Sequence, residues 1–376
     1  MQWCRESSPS SFQYQDYAAQ AATFGKDYAK LSNCTHDGAG AGADPDPAAV
    51  MKCLRALPAK EAFALGEQAS GSAAEGILDR ILEGGRVEDA LAMEWSPVVD
   101  GELSASSPLD AAMAAGAGAV QLPAQPLQLF EAGAFRSVPL LVGTNQDEAA
   151  TFIYAGLPKK VPELLFEPLM KVIFGKTDGP KVVAFYAALA KADDWTDMRD
   201  SFSQVLTDYW FKCGSAHVAG LMADKQAAVH AAHSTYMYRF AHLSSFAPVF
   251  AADGLPKVCE SRVCHGTELP YVFHSSLPGN YSFNESELGL SRAMVAYWTQ
   301  FARSGNPNAP ADNRSNDDGS SSSYRGNSTV DWPSFSTAAR RNLRLAIPIV
   351  AESTTDGSGA PPQEVCAFFD SIGYNH

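Results

Sequence analysis

The sequence predicts an α/β fold built on a mostly parallel β-sheet. Short runs of β-forming residues recur along the 376-residue chain, and helical stripes long enough to serve as crossovers separate them. No internal repeat or clear linker divides it, and large α/β folds hold chains of this length in one unit. With 46% hydrophobic and 10% aromatic residues, a sizeable core is affordable.

From the N-terminus, Tyr17, Ala21, Phe24, Tyr28 and Leu31 fall at three- and four-residue steps, which predicts a helix over Asp16 to Leu31. His36 to Pro45 alternates glycine and alanine and reads as a loop, followed by a short helix around Ala48 to Leu57. Val138 to Thr144 is a continuous apolar run with one glycine, the pattern of a buried parallel strand. Phe202, Val205, Leu206, Tyr209 and Trp210 predict an amphipathic helix from Met198. Thr235 to Phe240 is rich in β-formers and reads as a second strand. Leu290, Met294, Tyr297, Trp298 and Phe301 mark another helix, closed by Gly305 and Pro307. Asn306 to Thr329 has no core-forming power, and Arg344 to Pro348 reads as a late strand.

The formal charge of -14 argues against nucleic acid and against a polybasic membrane contact, because both need a basic face. No apolar run is long enough to span a bilayer, and Met1 to Ser8 lacks the apolar core of a signal peptide. Five glycosylation sequons nevertheless occur, at Asn33, Asn280, Asn284, Asn313 and Asn327. With seven cysteines they suggest an ancestor that was secreted or passed through the secretory pathway. Six paired cysteines allow fifteen connectivities. No cysteine–histidine cluster has metal-ligand spacing, so no metal is expected.

Two segments carry chemistry. His265 stands in Val263-Cys264-His265-Gly266-Thr267-Glu268-Leu269-Pro270-Tyr271, and Glu148 follows the first strand in Gly143-Thr144-Asn145-Gln146-Asp147-Glu148. Acyl transfer from an ester needs a nucleophile, an imidazole that takes its proton and a carboxylate that holds the imidazole in one tautomer. Taken alone, a histidine before glycine is more often a core or surface residue, and a carboxylate at a strand end also caps the following helix.

Both segments resemble the type-B carboxylesterase/lipase family, the cholinesterase-like α/β-hydrolases. Val138 to Glu148 resembles the family's catalytic-acid loop, and Cys264 to Phe273 its catalytic-histidine segment. Further agreement comes from Asp100-Gly101, Tyr297-Trp298, Trp332-Pro333 and Cys366 to Asp370. The resemblance implies an α/β-hydrolase fold with helices on both faces of the sheet. It implies Glu148 and His265 as triad positions, Glu268 as a structural hydrogen-bond partner and a small carboxylic ester as substrate, with no cofactor. Ala149 departs from the family's usual glycine. The resemblance further implies disulfides Cys34–Cys53 and Cys213–Cys366, which leave Cys259 and Cys264 as a third pair or as two thiols.

The third triad member is the exception. No G-x-S-x-G occurs in the 376 residues, and Ser7, Ser8, Ser10 and Ser11 lack the flanking glycines such a turn needs. The sequence therefore reads as residues 8–376 of a single carboxylesterase domain, its C-terminal part, without the N-terminal strands, oxyanion loop and nucleophile elbow. Residues 1–7 read as an anomalous N-terminal stretch. The leading expectation is an ester hydrolase family member inactive by itself, the alternative a non-catalytic esterase-like binding or adhesion module.

Overall fold

The computed structural model describes residues 3–6, 25–35, 46–69, 97–100, 122–189, 197–275, 281–308, 330–355 and 361–374. By their contacts the residues group into two compact units, Gln13–Gln128 and Met1–Phe12 with Leu129–His376.

The smaller unit contains helices α1 (Lys26–Leu31), α2 (Pro47–Arg55) and α3 (Ala59–Ala69). Asp46 caps α2 by accepting from the Ala48 amide at 3.1 Å, and proline opens its first turn, where no donor is lost. A Cys34–Cys53 disulfide and a 3.0 Å bond from the Tyr28 hydroxyl to the Ala62 carbonyl tie the unit's helical segments together. The helix expected from Asp16 is described only over its last turns.

The larger unit is built on a sheet with strand order β1 (Trp3–Glu6), β2 (Leu140–Asn145), β3 (Thr235–Phe240), β4 (Arg341–Leu345) and β5 (Val350–Ser353). The first four strands run parallel and β5 pairs antiparallel to β4. Trp3–Glu6, read from sequence as anomalous, pairs along β2; ladder bonds use backbone groups, so unusual side chains do not forbid them. The late strand begins three residues before the expected start and stops at Leu345, ahead of Pro348, which has no ladder donor.

This unit also contains helices α4 (Ala150–Gly156), α5 (Phe166–Leu189, kinked at Gly175), α6 (Arg199–Leu206), α7 (Gly214–Ala228), α8 (Glu285–Ser304) and α9 (Gln363–Ile372). The sheet carries a hydrophobic cluster on each face, as strand alternation requires. On one face Leu141, Tyr236, Tyr238 and Phe240 meet Leu290, Met294, Tyr297 and Phe301 of α8, with Trp332. On the other, Leu140, Val142 and Met237 meet Ala216, Ala219 and Met222 of α7. Phe246 and Phe250 join the first cluster, so they anchor a short helical turn, Ala247–Ala252, in the core. Gly143 is needed because a Cβ there would sit 2.2 Å from Cδ1 of Tyr238.

The helix expected from Met198 carries a one-turn π segment, Thr207–Cys213, between α6 and α7. Cys213 at its end forms a disulfide with Cys366 of α9. One turn further along each helix, His217 Nδ1 lies 3.3 Å from Asp370, while its Nε2 lies 3.5 Å from Glu131. The Asp370 hydrogen bond, opposed by burial and helped by both carboxylate charges, raises the His217 pKa above its ordinary value. A raised folded-state pKa stabilises fully below the unfolded value, about 6.5, and the contribution is lost as pH rises through the folded value. We therefore expect His217→Gln to lower the denaturation midpoint most in mildly acidic buffer, and the difference from the parent to shrink on the alkaline side of neutrality. A difference that grows with pH would contradict this.

Candidate active site

The acid loop leaves the C-terminal end of β2, where open parallel sheets place their catalytic loops. Bonds from the Gln146 amide to the Phe240 carbonyl (2.9 Å) and from Arg239 Nη1 to Gln146 Oε1 (3.0 Å) hold it against β3. Arg239 is fixed in turn by Glu352 of β5, through bonds of 3.0 and 2.9 Å. Asp147 then ties this loop to the histidine segment. Its amide donates to the Val263 carbonyl at 3.0 Å, and its carboxylate accepts from the Val263 amide at 3.1 Å.

Glu148 is completely buried. Its Oε1 accepts from the Asn145 amide at 2.6 Å and its Oε2 from His265 Nδ1 at 2.7 Å. Fully desolvated carboxylates persist only when hydrogen-bonded or paired, and Glu148 has both kinds of partner. Burial disfavours charge on the imidazole, but the hydrogen bond to Glu148 and the charges of Glu148 and Glu268 outweigh it, so its pKa lies above the usual histidine value. Ala149, in place of the family's usual glycine, has a φ of -72°, which any residue adopts without strain.

Asn145, unremarked in the sequence, joins both segments. It is fully buried, and its Nδ2 donates to the Cys264 carbonyl at 2.8 Å and to the Glu268 carboxylate. Glu268 thus braces the acid loop. The π segment contributes two further residues. Thr207 Oγ1 accepts from the Ala149 amide at 3.0 Å, and the Phe211 ring lies 5.7 Å from His265. Phe152, exposed on its outer side, flanks the imidazole at 5.1 Å. The His265 side chain is 35% exposed, and its only hydrogen bond among the described residues is the one to Glu148. A Cys259–Cys264 disulfide closes the loop immediately before His265.

Asn33 and Asn284 are exposed. The Asn284 Oδ1 caps α8 by accepting from the Glu287 amide at 3.0 Å. Asn280, Asn313 and Asn327 lie outside the described residues. Among the described residues, no helix is long and apolar enough to cross a membrane.

A carboxylate and an imidazole following adjacent parallel strands, on a sheet covered on both faces, define an α/β-hydrolase. A sequence profile described as the Carboxylesterase family matches residues 7–357, and the chain belongs to that family. It is similar to the "Crystal protein" of Dictyostelium discoideum, 30% identical over 229 residues, or 60% of this chain and 36% of that protein. The "cAMP-regulated D2 protein" of the same organism is 28% identical over 229 residues, covering 61% and 36%. Human Neuroligin-2 is 25% identical over 281 residues, covering 70% and 28%. The chain spans about a third of the length of these relatives.

Proposed function

We propose that this chain carries the proton-handling half of a serine carboxylesterase site. Glu148 fixes the His265 tautomer with the proton on Nδ1. That leaves Nε2 to accept a proton from an attacking hydroxyl and return it to the leaving alcohol. The buried 2.7 Å contact carries this reading, because the imidazolium formed during proton transfer gains most from a desolvated carboxylate beside it. In the intact reaction the substrate is a small carboxylic ester, the intermediate an acyl-enzyme, and no cofactor takes part. Three disulfides fit an oxidising, secretory-pathway setting.

Residues 8–376 act as the C-terminal part of one carboxylesterase domain, inactive by themselves because no G-x-S-x-G is present. The same absence favours a second reading, a non-catalytic binding module. A binding surface, however, gives no reason to bury a carboxylate against an imidazole. Labelling the native protein with a fluorophosphonate probe tests the proposal. No label is expected on the full-size polypeptide, and a labelled band lost in His265→Gln would show that the chain has its own nucleophile.

A further inference from the structure

Thr151 lies three residues after Glu148, at the start of α4. Its Oγ1 accepts a hydrogen bond from the His265 amide at 3.2 Å. The same oxygen lies 3.9 Å from Sγ of Cys259, which is bonded to Cys264. A disulfide sulfur has no proton to give, so between these two atoms only the hydroxyl donates. With its proton turned toward sulfur, the oxygen lone pairs face the His265 amide. One hydroxyl thus joins the acid-bearing segment, the disulfide loop and the backbone of the base.

One segment therefore meets His265 twice, Glu148 at the ring and Thr151 at the main chain. A histidine ring is placed by its backbone and two torsions, so anchoring the amide and Nδ1 together leaves Nε2 little freedom. Cys259 and Cys264 are five positions apart and both fully buried. Closing so short a loop removes less chain entropy than the 153-position Cys213–Cys366 crosslink does, and it also fixes the local geometry beside His265.

We propose that Thr151, braced by the Cys259–Cys264 disulfide, is a positioning residue that sets the place of His265 relative to Glu148. The inference rests on the acid–base reading above and adds a residue to it. A displacement of about 1 Å at such a site can cost a hundredfold in rate, so the anchor has a functional consequence beyond folding.

NMR of histidine-labelled protein tests the proposal, with the His265 ring assigned by its loss in His265→Gln. Thr151→Val keeps the shape and removes the acceptor, Thr151→Ser keeps the hydroxyl, and Glu148→Gln breaks the ring contact. In Thr151→Val we expect the Nδ1 proton to exchange with water about fivefold faster or more, the equivalent of one ordinary hydrogen bond. Thr151→Ser should restore the parental rate. A purely structural role would lower the denaturation midpoint and leave that exchange unchanged, which would overturn the proposal. If Glu148→Gln leaves the Nδ1 proton exchange and the ring signals unchanged, the acid–base reading itself fails. If Glu148→Gln abolishes the protected proton while Thr151→Val leaves it intact, only the role of Thr151 fails. Thr151→Ala makes the same measurement should valine not be accommodated in the fold.

Discussion

A polypeptide of these 376 residues is expected to hydrolyse activated carboxylic esters no faster than buffer. An imidazole–carboxylate pair lowers the cost of proton transfer but does not attack a carbonyl by itself at a useful rate. In the subtilisin series, removing the serine nucleophile alone costs on the order of a million-fold in turnover. The residual rate there comes from the oxyanion hole and substrate binding. A stopped-flow assay with a chromogenic ester should show neither a burst nor a steady rate above the blank. A burst abolished in His265→Gln would show that a hydroxyl of this chain completes the triad. Ser7, Ser8, Ser10 and Ser11, outside the described residues, would be the first to replace.

The largest stability effect is expected from Cys213–Cys366. The bond spans 153 positions, and in the loop-entropy account closing a loop of that size contributes about 5 kcal/mol. Cys259–Cys264 spans only 5 positions, for which the same account gives about 2 kcal/mol. Replacing Cys213 and Cys366 by alanine should therefore lower the denaturation free energy of the larger unit by more than twice the loss at Cys259 and Cys264. Chemical denaturation followed by tryptophan fluorescence reads this, because Trp332 is buried in the core against β3. Equal losses at the two bonds would contradict the chain-entropy explanation.

Much of the larger unit was legible because its central strands are buried on both faces. Val138 to Thr144 is a nearly continuous apolar run and Thr235 to Phe240 is rich in β-formers, and β2 and β3 fall there. The α8 stripe was equally plain, since Leu290, Met294, Tyr297 and Phe301 all face one cluster. The edges were not. β5 hides a buried glutamate whose charge is met by Arg239, a partner more than a hundred residues away, with Asn342 of β4 donating a further hydrogen bond. Trp3–Glu6 has no apolar run, and only its pairing along β2 makes it a strand.

The same division holds at the site. The motifs around Glu148 and His265 were visible because acid and base each sit in a distinctive local sequence. Asn145, Thr151, Thr207 and Phe211 were not singled out, because nothing in their local sequence marks them. They acquire their roles when the π segment and α4 are brought against the histidine loop. The spacing of Phe202 to Trp210 reads as ordinary helix, and the widened turn that delivers Thr207 and Phe211 leaves no mark in that periodicity.

The claim on which the rest depends is that His265 and Glu148 act as one proton-holding unit. Titrating the His265 ring by NMR, with Glu148→Gln as comparison, tests it most directly. The parent should show a protected Nδ1 proton at low field and an imidazole pKa above that of free histidine, and both features should vanish in Glu148→Gln. An imidazole that titrates like a free side chain in both proteins would contradict the account.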